Sequence, residues 1–444
     1  MVPMEKKHVL IIAYLFPPIG GGGVQRAVKM AKYLGKYGCK VSVLTVDEPS
    51  HVSLDPSLLE QLPKDVAIYR AKERKLPGMS ARTVAVSQTD DISVPSLKAR
   101  LIHRLKPALK KVKELILIPD DQILWYKDAV RLGEEIIKKE GVDCIFSTSG
   151  PYTNHLVGLQ LKKRTGVKWI ADFRDPWTQN MHRPSSKWRL EKEEKMEYEV
   201  VSNCDVLMTV THSFANNFQK KYGSAIKRLE VIHNGFDPED YKNLKPNKLY
   251  PDKWTFVYTG IFYKERNPRL FLQAVAELIS EGKIVRNDIS VQFAGVFDYP
   301  GYTDNEDCVR TLGLEDVVYV WGNLPHRDAL SLLAGADQLL LIGDVSKDSG
   351  AYIPGKLFEY MAVQKPIFAL TVEGESAKII SEQKLGVIIS PFDKEQIKAE
   401  LLKAYQNWKN NHEIKISPAN TLLYQRDEQA RMLSEVVYEL TNSE

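Results

Sequence analysis

The segment LIIAYLFPPIGGGGVQR, residues 10–26, opens the α/β pattern of this chain. An apolar run typical of a buried strand leads through two prolines and four glycines into a helical pattern. Such glycines let the backbone approach a ligand closely, and the N-terminus of the next helix favours an anion. The run does not match the GxGxxG spacing of a dinucleotide site. The loop alone is therefore equally typical of a phosphate-binding turn and of a plain strand-to-helix turn.

Strand and helix patterns alternate along most of the 444 residues. Short apolar runs separated by helical patterns predict parallel sheets with helices on both faces. In the first half we expect strands at 8–13, 41–46, 66–70, 143–147, 167–172, 205–210 and 229–233, and helices at 24–37, 123–138, 151–164, 188–203 and 212–222. In the second half we expect strands at 254–260, 289–294, 317–321, 337–342, 366–370 and 386–389.

A polar stretch at 237–253, with three prolines, separates the two halves and is typical of a linker. The sequence thus predicts an α/β fold with two doubly wound domains, at 1–240 and 252–415. A terminal segment, 416–444, contains an amphipathic helical pattern over 420–440. In this fold class a cleft at the carboxyl ends of the strands binds the ligand.

Composition excludes several other classes of protein. Hydrophobic residues at 43% and charged residues at 27% are typical of a globular chain, not of a collagen-like or disordered one. A net charge of +4 gives no reason to expect a nucleic-acid partner. The four cysteines are scattered without a CxxC pair, which favours a reducing cytoplasm over a disulfide framework or a zinc site. No apolar run reaches the roughly 18 residues that a membrane span needs.

Five motifs resemble, in order, the pattern of bacterial glycosyltransferase family 4, which has the GT-B fold. They are LIIAYLFPPIGGGGVQR at 10–26, STSGPYTNHLVGLQLKKRTGVKWIADFRDPW at 147–177, VIHNGFD at 231–237, VYTGIFYKERNP at 257–268 and IPGKLFEYMAVQKPIFAL at 353–370. The resemblance implies two Rossmann-like domains that face a cleft. The first would bind the acceptor and the second the nucleotide-sugar, and the terminal helix would cross back to the first domain. It also implies a retaining hexosyltransferase that uses a UDP- or GDP-linked donor and no further cofactor.

The leaving diphosphate of such a reaction needs fixed positive charge and backbone N–H groups around it. The resemblance assigns seven residues to the donor: Gly22, Gly23, Gly260, Arg266, Gly355, Lys356 and Glu359. Arg266 would be a basic phosphate ligand, Lys356 would hold the diphosphate at a helix start, and Glu359 would bond the ribose. From spacing alone, Lys356 and Glu359 look more like an exposed helical pair, and only the resemblance favours the donor site.

Two positions depart from the family pattern. Ala351 stands where the family's Glu-(seven residues)-Glu signature has its first glutamate, which contacts the donor sugar. Ile261 replaces the arginine that usually follows Gly260 and helps to hold the diphosphate. Recognition of the sugar is therefore left open by the sequence.

The candidate catalytic residues of the first domain are Asp172, Arg174 and Asp175, at the end of a predicted strand, and His155, on the helix before it. Alternation places Asp172 and Arg174 on one face. An acid and a base there are costly to bury unless they are paired, so a paired site favours function. The alternative is a structural ion pair beside the Pro176–Trp177 turn. We expect His155 to face the cleft, although a lone helical histidine is more often structural.

The stretch LKARLIHRLKPALKKVK, residues 97–113, holds seven cations and no acid, with leucines repeating along one side. This pattern is typical of an interfacial helix on an anionic membrane, where each cation near the surface contributes about 1 kcal/mol. A solvated helix that packs on the core through its leucines is the alternative, and Pro107 favours a kink or two short helices.

The sequence predicts no metal site, since the nine histidines show no HExxH spacing and no DxD motif ends a strand. In GT-B enzymes helix dipoles and basic side chains replace the metal. The first interpretation is a transferase of cell-surface polysaccharide biosynthesis with a glycan or lipid-linked acceptor, in the cytoplasm or peripheral at the inner face of the membrane. The alternatives are a nucleotide-sugar epimerase or hydrolase, which needs a general base at the sugar, and a non-catalytic partner subunit, which Ala351 and Ile261 would suit.

Overall fold

The computed structural model describes residues 5–47, 54–74, 117–181, 186–263, 266–412, 416 and 420–442. The chain forms two compact units. Unit 1 comprises Met1–His233 with Arg426–Glu444, and unit 2 comprises Asn234–Gln425. The basic stretch 97–113 lies outside the described residues, so its expected helix stays a prediction.

Unit 1 is built on a seven-stranded parallel sheet in the order β3-β2-β1-β4-β5-β6-β7. Its strands are β1 Lys7–Ile12, β2 Cys39–Val46, β3 Ala67–Ala71, β4 Cys144–Thr148, β5 Lys168–Phe173, β6 Val206–Thr209 and β7 Leu229–Val231. The inner strands are buried along most of their length because helices cover both faces of a parallel sheet. The five residues of β4, for instance, are all buried.

The helices of unit 1 run between these strands, and the terminal helix joins them. They are α1 Gln25–Tyr33, α2 Ser57–Glu60, α3 Tyr126–Glu140, α4 Thr153–Thr165, α5 Lys187–Asn203, α6 His212–Tyr222 and, after unit 2, α13 Arg426–Asn442. Helix α13 packs on α1 and buries Leu433 and Val437 in the core of unit 1. The Tyr438 hydroxyl donates a hydrogen bond to the Gly38 carbonyl at 2.8 Å. The return of the terminal helix to the first domain is thus confirmed.

Unit 2 has a six-stranded parallel sheet in the order β10-β9-β8-β11-β12-β13. Its strands are β8 Trp254–Ile261, β9 Ile289–Val296, β10 Val318–Gly322, β11 Gln338–Ile342, β12 Ile367–Leu370 and β13 Gly386–Ile389. Its helices are α7 Arg269–Ser280, α8 Asp304–Thr311, α9 His326–Gly335, α10 Lys356–Val363, α11 Glu375–Glu382 and α12 Lys394–Lys409. One face of the sheet packs on α7, α8 and α12, and the other on α9, α10 and α11.

The expected fold class is confirmed, with strand ends displaced by at most two residues. The terminal helix begins at Arg426, later than the expected 420, after a short 3₁₀ turn at Leu422–Tyr424. The stretch 237–253 belongs to unit 2, since the units divide between His233 and Asn234. It is anchored there by its own contacts, such as the Asn247 N–H bond to the Ser331 carbonyl at 2.8 Å.

Candidate functional site

The most unusual side chain of unit 2 is Lys356, the first residue of α10. Its Nζ lies 3.5 Å from the centroid of the Tyr258 ring, a cation–π contact. Its Nζ is buried and has no hydrogen-bond partner among the residues that the structure describes. Burial lowers the pKa of Lys356 well below its ordinary value; the Arg266 charge adds to this effect and the Glu359 charge opposes it. A buried cation without a hydrogen-bond partner costs free energy, and an anionic ligand at the Nζ would offset that cost.

Gly260, at the end of β8, makes room for this lysine. Its φ is +124°, a conformation that favours glycine, and an added Cβ would stand 2.7 Å from the Lys356 Nζ. Any larger residue would therefore displace the ammonium group. Gly355, just before α10, has open space where a Cβ would be. Gly260 thus gives the Lys356 ammonium group the space that it occupies against the backbone.

Arg266 supplies a second cation beside Lys356. An isolated antiparallel β-bridge holds its backbone, because Tyr263 and Arg266 exchange two N–H···O hydrogen bonds of 3.1 and 2.9 Å. Its guanidinium carbon lies 5.6 Å from the centroid of the Tyr263 ring. The Nε of Arg266 is buried, and it too has no partner within the described part of the chain. Two cations that each have a buried nitrogen without a hydrogen-bond partner in the described residues therefore lie close together, Arg266 after the carboxyl end of β8 and Lys356 at the start of α10.

Glu359 lies on the first turn of α10, and His326, the first residue of α9, reaches it. The His326 Nε2 is 3.1 Å from the Glu359 Oε1. No local sequence pattern indicates His326, because 33 positions separate it from Glu359. The two positions that depart from the family pattern, Ile261 and Ala351, each precede a candidate donor residue, Arg266 and Lys356, by five positions. Ile261 is an exposed end of β8, and Ala351 closes a 3₁₀ turn at Ser349–Ala351.

In unit 1, Asp172 is fully buried at the end of β5, and its partner is Arg26. The Arg26 Nε and Nη2 donate to the two carboxylate oxygens at 2.8 Å each, and the Thr148 hydroxyl donates at 2.7 Å. Arg26 also donates to the Ile232 and His233 carbonyls at 3.0 and 2.9 Å. Asp172 therefore does not pair with Arg174, although alternation suggested that the two share a face: the side chain of Arg26, at the end of the glycine-loop motif, reaches the carboxylate instead.

Arg174 and Asp175 are placed differently, at the rim of the same loop. Arg174 donates from Nη1 to the Gly23 carbonyl at 2.9 Å, and its Nε lies 3.4 Å from the Asp175 carboxylate. An added Cβ at Gly23 would stand 3.0 Å from the Leu15 Cδ1, so the leucine side chain would have to shift slightly to accommodate it. Gly22 opens a 3₁₀ turn, Gly22–Val24, that leads into α1. Of the three charged residues in segment 172–175, Asp175 is the most exposed, with 41% of its side chain accessible.

His155 does not face a cleft, and that expectation is wrong. The ring is fully buried against Phe173, with centroids 4.4 Å apart, and its Nδ1 lies 2.8 Å from the Ser147 hydroxyl. Burial lowers the pKa of His155 to about 3, so the imidazole is neutral. Helix α4 packs tightly on β5 because Gly158 leaves no side chain against the Trp169 ring. His155 lies one turn before Gly158 on the same buried face of this helix.

Within the described ranges, no group of three or more histidine, cysteine or carboxylate side chains is arranged to hold a metal ion. None of the helices described is both long and apolar enough to cross a bilayer.

Family models cover most of the chain. The model described as Glycosyltransferase Family 4 matches residues 20–240, and the model described as Glycosyl transferases group 1 matches residues 240–417. The chain belongs to glycosyltransferase family 4. The boundary between the two matches falls close to the division between the units, and this glycosyltransferase has the two-sheet GT-B architecture that the motifs imply.

Solved structures share the fold at low sequence identity. A glycosyltransferase from Rickettsia africae is 15% identical, with a TM-score of 0.64 over 99% of this chain and 100% of that one. WaaB, a lipopolysaccharide outer core galactosyltransferase in its apo form, is 11% identical, with a TM-score of 0.56 over 98% and 100%. The UDP-GlcNAc 2-epimerase of Methanocaldococcus jannaschii is 12% identical, with a TM-score of 0.53 over 98% and 99%. No curated protein matches the chain significantly.

Proposed function

We propose that this glycosyltransferase moves a hexose from a UDP- or GDP-linked donor to a glycan acceptor, with retention of the anomeric configuration. The observation that carries the proposal is the buried Lys356 Nζ, which has no hydrogen-bond partner in the described chain. A charge in that position costs free energy in the empty protein. A diphosphate is the anion that the reaction class brings, and binding it would compensate that cost.

The arrangement suits a leaving diphosphate. Departure of a nucleoside diphosphate concentrates negative charge on the phosphate oxygens, so cations fixed in advance stabilise the transition state. Lys356 and Arg266 supply two such cations, and the N-terminus of α10 adds its helix dipole. In our proposal these groups do the work without a metal ion.

Glu359 completes the donor site in this proposal. Its carboxylate is on the first turn of α10, one turn from Lys356, so a nucleotide whose diphosphate reaches the lysine brings its ribose near the acid. A carboxylate accepts hydrogen bonds from two ribose hydroxyls, and such charge-assisted bonds are strong. His326 holds the Glu359 carboxylate before the ribose arrives.

In unit 1 we assign the exposed Asp175, held by Arg174, to the sugar or acceptor, while the buried Asp172–Arg26 pair positions the loop that carries them. His155 and Asp172 lack exposure to a substrate. The Gly23 carbonyl accepts the hydrogen bond of Arg174 and so keeps the glycine loop close to that side chain.

We further propose that the acceptor is part of a cell-surface polysaccharide, lipid-linked at the inner face of the membrane. The lipopolysaccharide galactosyltransferase among the structural neighbours supports a cell-surface glycan, and the seven cations of 97–113 suit an anionic lipid surface. Co-sedimentation with vesicles of phosphatidylglycerol and phosphatidylcholine tests the membrane contact. Binding to the anionic vesicles alone supports it, and no binding to either refutes it.

An epimerase or hydrolase is the second candidate, since a UDP-GlcNAc 2-epimerase shares the fold. Incubation with UDP-glucose, UDP-galactose, UDP-N-acetylglucosamine and GDP-mannose, followed by NMR, separates the candidates. Release of UDP or GDP that rises with an added glycan acceptor, with α product from an α donor, supports the retaining transferase. Isomerised nucleotide-sugar without transfer favours the epimerase, and no turnover or binding of any donor favours a partner subunit.

A further inference from the structure

A cavity in unit 2 that Lys356 does not line lies between the loops that follow β8 and β9. Its volume is about 170 Å³. Its wall carries three tyrosines that are about half exposed: Tyr263 at 47%, Tyr299 at 53% and Tyr302 at 55%. Exposed aromatic side chains grouped around one small cavity are typical of a binding site rather than of a random surface.

Polar groups with unused hydrogen-bonding capacity line the same cavity. Asn305 is 5% exposed, its Nδ2 donates to the Phe297 carbonyl at 2.6 Å, and its Oδ1 is buried without a partner in the described residues. Arg269 pairs through Nη2 with Asp304 at 3.1 Å, yet its Nε is also buried and unpartnered there. Since buried polar atoms normally have partners, the cavity lacks one donor and one acceptor.

The charge of the cavity is nearly balanced. Asp298 accepts the backbone N–H groups of Asn305 and Glu306 at 3.0 and 2.9 Å, so its charge is used at the start of α8. The Arg269 guanidinium compensates Asp304. Among the lining residues that the structure describes, neither a polyanion nor a cation has an uncompensated partner, so a neutral ligand is favoured.

We infer that this cavity binds a single neutral sugar residue of a glycan, separate from the donor sugar. The C–H face of a pyranose packs on an aromatic ring, and its hydroxyl groups both donate and accept hydrogen bonds. One hydroxyl can donate to Asn305 and its neighbour can accept from Arg269. That the sugar comes from a glycan rests on the proposed function.

A nucleobase fits this cavity less well than a sugar. The rings of Tyr263 and Tyr299 lie 6.4 Å apart at an interplanar angle of 40° and already contact each other. They form one tilted wall and leave no parallel slot into which a planar base could be inserted.

The cavity is physically linked to the donor site through Tyr263. The same residue forms part of the wall and holds Arg266 by two backbone hydrogen bonds. A sugar that packs on the Tyr263 ring would therefore restrict the segment that carries a diphosphate ligand. We expect occupation of the cavity to make nucleotide binding tighter, never looser, by this route.

The test is saturation-transfer NMR on the full chain with the methyl α-glycosides of glucose, galactose and mannose and with N-acetylglucosamine. Each sugar is measured with and without saturating UDP and GDP. We expect at least one sugar to bind in both conditions, and Tyr302→Ala and Tyr299→Ala to weaken it about tenfold, the loss of one aromatic contact. Tyr198→Ala, a tyrosine of unit 1 that is 51% exposed, is the matched control and should leave sugar binding unchanged.

The inference is overturned if no sugar in the panel binds, if binding disappears when a nucleotide is present, or if the Tyr302 and Tyr299 variants bind as the wild type does. Uridine binding that Tyr302→Ala removes would replace the sugar by a nucleoside and also overturn it. Calorimetry with UDP and GDP alone reads the proposed function separately, because neither tyrosine belongs to the donor site. Sugar binding without any nucleotide binding would therefore refute the transferase proposal and keep the sugar site.

Discussion

Replacing Lys356 by methionine should stabilise the protein in the absence of donor. The ammonium group is buried without a hydrogen-bond partner in the described residues, whereas a methionine of similar length keeps a sulfur contact with the Tyr258 ring. Replacing buried charge by an apolar side chain of similar volume gains on the order of 2 kcal/mol. For a unit of this size, we expect the melting temperature to rise by about 4–8 °C.

The pH dependence of that gain has a defined sign. The pKa of Lys356 is lowered from 10.5 in the unfolded chain by burial, with a smaller effect of Arg266. Between the native pKa and 10.5 the unfolded state binds the extra proton, so wild-type stability rises with pH. The advantage of Lys356→Met should therefore be full below the native pKa and shrink as the pH approaches 10.5.

Differential scanning calorimetry from pH 6 to 10.5 measures this, with Lys398→Met as the matched control. Lys398 is in the same unit, but its Nζ lies 3.0 Å from Glu277 and 2.6 Å from Glu281. The same substitution there removes two ion pairs and should lower the melting temperature. A fall in melting temperature for Lys356→Met, as for the control, would refute the inference that the buried Lys356 cation destabilises the donor-free protein.

Three further predictions concern other parts of the two units. Arg26→Met leaves Asp172 buried without its bidentate partner, so it should lower the free energy of unfolding by about 3–5 kcal/mol, and the double variant Arg26→Met/Asp172→Leu should recover most of that loss. Equal chemical-denaturation midpoints for the single variant and the wild type would contradict this. Glu359→Gln should remove most of the preference of the protein for UDP or GDP over the 2′,3′-dideoxy analogue, a loss of about 10–100-fold by calorimetry, and an unchanged preference would exclude the ribose contact. Burial lowers the pKa of His155 to about 3, so the NMR chemical shifts of its ring carbons should not change between pH 5 and 8. The free energy of unfolding should fall as the pH drops below 6.5, because only the unfolded ring takes up the proton. A titration of this ring near pH 6.5 would contradict its burial.

The fold could be predicted because a parallel sheet covered on both faces leaves a simple signal. Strands such as β4 and β11 are buried along their whole length, and each contains a short apolar run, Cys144–Phe146 and Leu339–Ile342. The polar stretch 237–253 carries no comparable signal that would show to which of the two units it belongs. Its assignment to unit 2 depends on contacts such as Asn247 with Ser331, which no local pattern specifies.

The site was harder to predict because its decisive contacts join distant positions. The partner of Asp172 is 146 positions away, and only the order of the strands brings Arg26 to it. Alternation along one strand suggested Arg174 instead. For His155, the glycine three residues later on α4 is the signal that could have indicated an inward ring, since a small residue marks close packing.

The most direct test of the donor site is isothermal titration of UDP and GDP into the wild type, Lys356→Met and Lys398→Met. We predict that at least one nucleoside diphosphate binds the wild type and Lys398→Met alike. Lys356→Met should bind it about a hundredfold more weakly, because it removes a buried cation from the diphosphate. Failure of both nucleotides to bind the wild type, or equal affinity in Lys356→Met, would contradict a diphosphate site at Lys356.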